Sequence, residues 1–449
     1  MERLLIDGAL DRVRAALETG DIDQAIAVIE GLRPADQADV FAELELADQA
    51  ALLPRLDPAD SADILEELEE AEAAELASSL PPGELTRIVD EMEPDEAADL
   101  LGDIPDEQAD AVLAGLEDPD EVRPLLMHPD DTAGGLMTSD FLAVRRRTTV
   151  AEALEAIRHW HPDGHAADQL YVIDPNGVLC GVVTLRKLIL SEPTQRMIDI
   201  MRTEVISVPA GTDQEECARL MDRYDLLALP VVDEHHRLLG VITVDDLVDV
   251  LAEEATEDIQ RLGAVQPLSG SYLDVSVLQV ARSRVGWLLV LFLTETLTGT
   301  VLRVFEKELD AVVSLAFFIP LLIGTGGNAG SQTISTIIRS LAIGDIRLGD
   351  GLRVLWHELR VGILLGVMVG AVGIVRALTW GTGLPVASAV ALTLLMIVLW
   401  ANIVGCLLPL LAVRLRIDPA IVSGPFMSTL VDATGLLIYL STAKMILGI

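Results

Sequence analysis

Gly324-Thr325-Gly326-Gly327-Asn328-Ala329-Gly330 lies inside an apolar run, residues 312–341, long enough to cross a bilayer. A membrane span needs ~20 apolar residues, and four other stretches reach or approach that length: 285–305, 361–378, 386–413 and 421–447. The stretch 361–378 is short unless its flanks join it, whereas 312–341 and 386–413 have length to spare for tilting. Five spans put the two ends of the chain on opposite sides of the membrane. Arg282, Arg284, Arg339, Arg347, Arg353, Arg360, Arg414 and Arg416 flank one side. Arg303, Lys307, Arg376 and Lys444 flank the other, beside Glu306, Glu308 and Asp310. The positive-inside bias then places the front half in the cytoplasm and the C-terminus outside a cytoplasmic membrane. Residues 1–10 show no long apolar core after a basic start, so no cleavable signal peptide is expected.

The glycine run has two readings. Small residues let membrane helices approach closely. Four Gly with Asn and Thr in seven residues exceed what packing usually needs. They predict a loosened helix with exposed carbonyls, as at broken-helix ion sites. No Gly-Lys-Ser/Thr follows, which argues against a phosphate loop. In the last stretch Asp432 stands within Ser428-Thr429-Leu430-Val431-Asp432-Ala433-Thr434-Gly435. A lone intramembrane carboxylate costs ~2.5–3.5 kcal/mol on insertion scales and is a functional candidate by default. Its bland alternative is an Asp bonded to a nearby Ser, Thr or Arg. No basic residue lies near it within the span, and a hydrated divalent cation would compensate its charge. Glu295 in the first stretch either lines a pore, pairs with Arg303 two turns along, or pairs with another subunit. Asn402 and Pro409 are weaker hints, each more often a packing or kink residue.

Charge divides the chain. Residues 1–130 hold 37 Asp/Glu and 7 Lys/Arg, whereas residues 269–449 hold 10 and 12, within a net charge of −40. A strongly acidic soluble front feeding a nearly neutral apolar back suggests a pore or carrier with a cation-responsive domain. Such a surface repels nucleic acid and anionic headgroups, so its partners are cations or basic protein surfaces. The three Cys (Cys180, Cys217, Cys406) show no CxxC spacing and the seven His no HExxH. That fits a reducing compartment and argues against cysteine metal sites and against an enzyme of that type.

Residues 131–250 contain two similar units. Leu170-Tyr171-Val172-Ile173-Asp174 matches Leu229-Pro230-Val231-Val232-Asp233, and Gly181-Val182-Val183-Thr184 matches Gly240-Val241-Ile242-Thr243, both at an offset of 59. Each unit reads as strand, amphipathic helix, strand, turn, strand, helix. This resembles a pair of CBS domains, regulatory modules that often bind adenine nucleotides. Their nucleotide-binding pattern ends Gly-apolar-apolar-Thr/Ser-x-x-Asp. The second unit keeps it at Thr243 and Asp246; the first has Lys187 where the Asp would fall.

In residues 1–130 a short pattern recurs at Pro34, Pro58, Pro94 and Pro105, and Pro34, Pro58 and Pro82 are spaced by 24. Pro at the first helical position followed by acids suits the positive end of a helix. A superhelical stack of short helices is expected. Most of the acids belong to a solvated surface. Carboxylates three or four residues apart, as at Asp95 and Asp99, share a helix face and repel; Mg²⁺ or Ca²⁺ would relieve that. Residues 244–262 repeat the acidity at Asp245, Asp246, Asp249, Glu253, Glu254, Glu257 and Asp258 around Val248, Leu251, Ala255 and Ile259, the pattern of one amphipathic helix.

With these pieces assembled, the chain resembles the MgtE family of magnesium channels and transporters over nearly its whole length. The most specific pieces are Gly134-Gly135-Leu136-Met137-Thr138, Thr243-Val244-Asp245-Asp246-Leu247, Glu254-Ala255-Thr256-Glu257-Asp258-Ile259, the glycine run, and Asp418-Pro419-Ala420 with Asp432. The fold class expected is multidomain. It comprises an all-α acidic superhelical N domain (1–130), α/β tandem CBS units (131–195 and 196–250), a connecting plug helix (244–268, overlapping the second unit) and a five-helix transmembrane domain (269–449).

The resemblance implies a homodimer with a central pore, embedded in lipid, in which Asp432 holds a hydrated Mg²⁺. Gly324, Gly326, Gly327, Asn328, Ser331, Asn402, Gly424 and Pro425 would line it. Mg²⁺ between N domain, CBS pair and plug would hold the closed state through Asp95, Asp99, Asp225, Asp246, Asp249, Glu254, Glu257 and Asp258, with Asp418 a further candidate. Mg²⁺ is the implied ion, with ATP at the CBS pair a second implied ligand. Two departures stand out: Ser331 replaces an Asn of the family's Gly-Asn-Ala-Gly-Asn-Gln, and Gly424 replaces the Asn of Ser-Asn-Pro. They leave open a broader divalent transporter admitting Mn²⁺, Co²⁺ or Ni²⁺. A non-transporting, CBS-regulated membrane sensor is the alternative of another class.

Overall fold

A computed structural model describes residues 2–160, 169–268, 275–421 and 424–449. Its residues form two units, and the boundary between them, Glu253/Glu254, falls inside one helix. Residues 269–274, the start expected for the membrane domain, and 422–423, in the expected fifth span, lie outside the described residues.

The first unit opens with ten helices: α1 (Glu2–Thr19), α2 (Ile22–Ile29), α3 (Pro34–Ala42), α4 (Leu46–Leu52), α5 (Pro58–Glu67), α6 (Glu70–Ser79), α7 (Pro82–Val89), α8 (Pro94–Asp103), α9 (Asp106–Leu113) and α10 (Pro119–Val122). Pro stands in the first turn of α3, α5, α7, α8 and α10, where its missing N–H has no partner to lose. The 24-residue spacing is the length of a two-helix repeat. α3, α5 and α7 pack successively on one another, and so do α4, α6 and α8. The stack is therefore two-layered. Its apolar positions are wholly buried at Ile29, Phe41, Leu52, Ile64, Leu76 and Leu85, each worth ~1.5–3 kcal/mol over exposure. This core is continuous with Cys217, Met221, Leu229, Val231 and Ile242 of the second repeat unit downstream.

The two repeat units are β1 (Ala143–Arg145), α11 (Val150–Trp160), β2 (Gln169–Ile173), β3 (Leu179–Thr184) and α12 (Leu185–Ile189), then, after α13 (Met197–Ile200), β4 (Val208–Pro209), α14 (Gln214–Tyr224), β5 (Ala228–Val232) and β6 (Leu238–Thr243). Each makes a three-stranded sheet with one parallel and one antiparallel pair. The offset of 59 holds to the register: Val172 faces Gly181 and Val231 faces Gly240, and both ladders slip one residue later. The glycines have a reason. A Cβ on Gly181 would stand 2.8 Å from the Arg202 carbonyl oxygen, and one on Gly240 2.8 Å from that of Thr138. A chain segment crosses each sheet there, bridging Val182 to Arg202 and Val241 to Thr138. Helix α15 (Val244–Leu262) follows β6.

Among the described residues of the second unit, five apolar helices are long enough to span: α16 (Val277–Val304), α18 (Ile319–Ala342), α19 (Gly351–Thr379), α20 (Leu384–Arg414) and α21 (Gly424–Leu447), with short α17 (Glu306–Ala311) after the first. The third apolar segment is not short. It runs Leu348–Thr379. Its polar beginning hid it, because Arg353, His357, Glu358 and Arg360 break the apolar pattern in the first turns of α19. Gly362, Gly366, Gly370 and Gly373 then form a stripe against α20, where a Cβ on Gly366 would lie 2.7 Å from Leu395 and one on Gly373 2.4 Å from Leu394. This is close backbone approach through small residues.

Candidate functional sites

The glycine run does not break its helix. α18 is continuous from Ile319 to Ala342, which corrects the expectation of a loosened, carbonyl-exposing segment. A Cβ on Gly326 would stand 2.5 Å from Ile397 and 2.6 Å from Val431; one on Gly327, 2.5 Å from Ser428 Oγ; one on Gly330, 2.6 Å from Met427. Three of the four glycines are therefore contact points with α20 and α21. Gly324 alone has open space around it, and Asn328 is exposed. We expect Gly326→Val to overpack this junction at a cost of ~1–3 kcal/mol, lowering the melting temperature of the detergent-solubilised protein, while Gly324→Ala leaves it in place.

The close approach sets α21 beside α18 one residue before Asp432. Trp400 Nε1 donates to Thr434 Oγ1 at 2.9 Å and pins α21 to α20 just beyond it. Asp432 is half-buried, and its Oδ1 is buried without a hydrogen-bond partner. No basic side chain pairs with it among the described residues. At the start of α21, Ser331 Oγ donates to the Gly424 carbonyl at 3.4 Å, and Thr429 Oγ1 to that of Pro425 at 3.0 Å. Asn402 is 1 % exposed and donates to Glu358 Oε2 at 3.1 Å, so its amide ties α20 to α19. Glu358 escaped sequence reading because it lay ahead of the expected third span.

Around the end of α15, Arg261 pairs with both Glu257 and Asp418. Asp418 thus holds an arginine. Asp258 is shifted upward by burial and then by the Asp418 charge, with Arg261 and Arg339 opposing. Leu262 packs among the apolar side chains of the membrane helices, and its carbonyl lies 3.9 Å from where a Cβ on Gly424 would stand. Glu254 lies eight residues before this end, on the same helix.

The second concentration of carboxylates is in the first unit. Asp95 in α8 is 7 % exposed, with Oδ1 unpartnered. Burial raises its pKa well above the usual range, and the Asp246 carboxylate adds to this. Thr243 N–H and Oγ1 both donate to Asp246 Oδ2, at 3.0 and 2.9 Å, which fixes Asp246 at the start of α15. Asp99 is pushed to about 7 by burial and by Asp130 and Glu70; Glu93 to about 7 by burial and by Glu66 and Asp246. Glu96 is pushed to about 9 by burial, then by Asp95 and Asp99. Asp95, Asp99 and Asp246 therefore come together, and Glu66, Glu70, Glu93 and Glu96 join them. These four are legible only once the two-helix repeat places α5, α6 and α8 side by side.

Asp225 caps α14 in a left-handed conformation (φ 51°) and is exposed, as is Asp249. No three carboxylates among the described residues converge tightly enough to form a bare-ion ligand set. Hydrated Mg²⁺, which keeps several of its waters, fits such spacing.

An apolar five-helix bundle whose Asp432 makes no ion pair among the described residues, carried behind a tandem regulatory module and an acidic helical stack, defines a cation-transporting membrane protein with a cytosolic sensor. Residues 319–442 match the MgtE family, described as divalent cation transporter; residues 32–131 match the MgtE intracellular N domain, and 133–191 and 197–253 the CBS domain. The magnesium transporter MgtE of Thermus thermophilus is 46% identical over 73% of this chain and 72% of its own length, and that of Bacillus subtilis 35% identical over 72% and 71%. A structure described as the cytosolic domain of the Mg²⁺ channel MgtE in complex with ATP superposes with a TM-score of 0.51 at 39% identity, covering 54% of this chain and 99% of that one. The chain belongs to the MgtE family.

Proposed function

We propose that this protein carries Mg²⁺ into the cell across the cytoplasmic membrane and that cytosolic Mg²⁺ shuts it. The observation that carries the reading is Asp432, an intramembrane carboxylate with a buried, unpartnered oxygen and no ion pair among the described residues. A hydrated divalent cation supplies the missing charge without requiring the carboxylate to strip the ion's waters. Gly326, Gly327 and Gly330 bring α18, α20 and α21 together around it. In this reading Gly324, Asn328, Ser331, Gly424 and Pro425 border the path, two chains form the pore, and the C-terminus faces outward.

Closure follows from the acidic cluster. Asp95, Asp99 and Asp246 repel one another unless protons or Mg²⁺ lie among them, so Mg²⁺ favours the docked arrangement of N domain and second CBS unit. Asp225 and Asp249, and Glu254, Glu257 and Asp258 along α15, would add weaker ion sites. A ligand shifts such an equilibrium only by its differential affinity for the two states. ATP is a second ligand of the CBS pair in this reading, at the Thr243–Asp246 motif; a relative's cytosolic domain bound to ATP supports it.

The test is Mg²⁺ entry into liposomes carrying the full chain, followed with an internal Mg²⁺-sensitive dye. Entry should saturate with external Mg²⁺ and fall as Mg²⁺ is raised on the face carrying the soluble domains. Influx equal to that of protein-free liposomes would sink the reading in favour of a non-transporting sensor.

A further inference from the structure

We propose that Glu295 and Thr298 of α16 complete the intramembrane cation site with Asp432, and that Glu295 sets how tightly the divalent ion is held. This rests on the reading that Asp432 holds the transported ion, and deepens it by adding a second carboxylate and a hydroxyl.

Glu295 stands near the middle of the first span and is exposed in the single chain. A carboxylate at that depth is expensive in lipid and calls for a partner. Arg303, two turns along, is not that partner: Glu295 makes no ion pair among the described residues. α16 packs against α21, the helix that carries Asp432, so the Glu295 charge acts on the Asp432 carboxylate. Two like charges on adjoining helices within the span repel unless a cation or a proton compensates them.

Thr298 points to the cation. It is 6 % exposed, and its Oγ1 is buried with no hydrogen-bond partner. Its neighbours behave differently. Thr294, Thr296 and Thr300 each donate to a carbonyl of their own helix, at 2.7, 2.5 and 2.9 Å. Thr298 follows Glu295 by three residues and so shares its face of α16. Among the described residues of α16, only Thr298 and Ser283 are buried. Asp432 Oδ1 is the matching unpartnered oxygen on α21. The donors are all hard oxygens, the set that suits Mg²⁺, Ca²⁺ or Mn²⁺.

The experiment uses the full chain in liposomes and a concentration series of Mg²⁺ alone, then of Ca²⁺ alone. Removing a ligand charge weakens an oxygen site, so Glu295→Gln should raise the half-saturating Mg²⁺ concentration about tenfold, and Thr298→Val about threefold. Glu295→Asp should recover most of the loss; it also serves as the readout if Glu295→Gln does not fold, with a half-saturation then expected about threefold above the parent. A half-saturation that stays within about twofold of the parent in these variants overturns the proposal. So does a fall in flux at every concentration with half-saturation unmoved, the signature of a merely structural residue. Asp432→Asn is the control on the underlying reading: wild-type flux there sinks that reading, whereas lost flux with an unmoved Glu295→Gln sinks only the present proposal.

Discussion

Asp432→Ala should bring Mg²⁺ influx down to the level of protein-free liposomes while leaving the protein folded and, if anything, more heat-stable. The two effects have opposite signs for one reason. Asp432 Oδ1 is buried and accepts no hydrogen bond, so alanine forfeits little packing and removes an uncompensated polar burial. The transported ion loses its counter-charge in the same step. A divalent cation held through one water layer, ~5 Å from a carboxylate, gains on the order of 6 kcal/mol at an effective dielectric near 20. Losing even half of that slows passage on the order of a hundredfold. Asp432→Asn keeps the shape and removes only the charge, so it should track Ala in flux. Influx measured alongside a melting curve separates this from simple unfolding. Near-parental uptake by either variant would show that the charge is not used by the ion.

Much of this architecture is legible in the sequence, because some patterns are dictated by backbone periodicity. The 59-residue offset carried through to strand register, since pleated strands cannot shift by one residue without turning their buried faces outward. The Pro spacing of 24 marked one layer of the N domain for the same kind of reason. Packing partners are another matter. The glycine run looked like an ion site because its composition says nothing about Ile397, Val431, Ser428 and Met427, the side chains that occupy the space its missing Cβ atoms leave. Glu358 lies ahead of the apolar stretch 361–378, yet it sits inside the helix that forms this span and accepts a hydrogen bond from the buried Asn402. Asp418, a metal candidate by resemblance, pairs with Arg261, a residue 157 positions away that the sequence does not connect to it. Nothing in the sequence sets Thr298 apart from Thr294, Thr296 and Thr300 or joins it to Glu295; the packing of α21 against α16 does.

The remaining large effect concerns the acids around Asp95 and is a matter of sign. In chelator, the docking of the N domain on the second CBS unit should be strongest at about pH 4 and should weaken progressively towards about pH 9. Burial, helped by like charges, raises Asp95 and Asp246 and brings Glu93 and Asp99 to about 7 and Glu96 to about 9. A carboxyl whose folded pKa lies above its unfolded value contributes stability that is complete below the unfolded value. That contribution is lost as pH rises through the folded one. The window therefore runs from about 4, where unfolded carboxyls titrate, through about 7 and up to about 9. Glu93 and Glu96 reach solvent, so screening shares out their part; the buried Asp95 does not escape. Saturating Mg²⁺ should flatten the slope, because the ion competes with protons for the same oxygens and binds better as they ionise. Hydrogen exchange of α8 and β6 in the full chain, with and without Mg²⁺ across this range, reads the effect. Asp95→Asn should remove most of both the pH slope and the Mg²⁺ response, since it withdraws the deepest charge and its unpartnered oxygen. Protection that is level across the range in chelator would mean that these carboxylates are already neutralised by something other than protons or metal, and the feedback built on them would have no driving force.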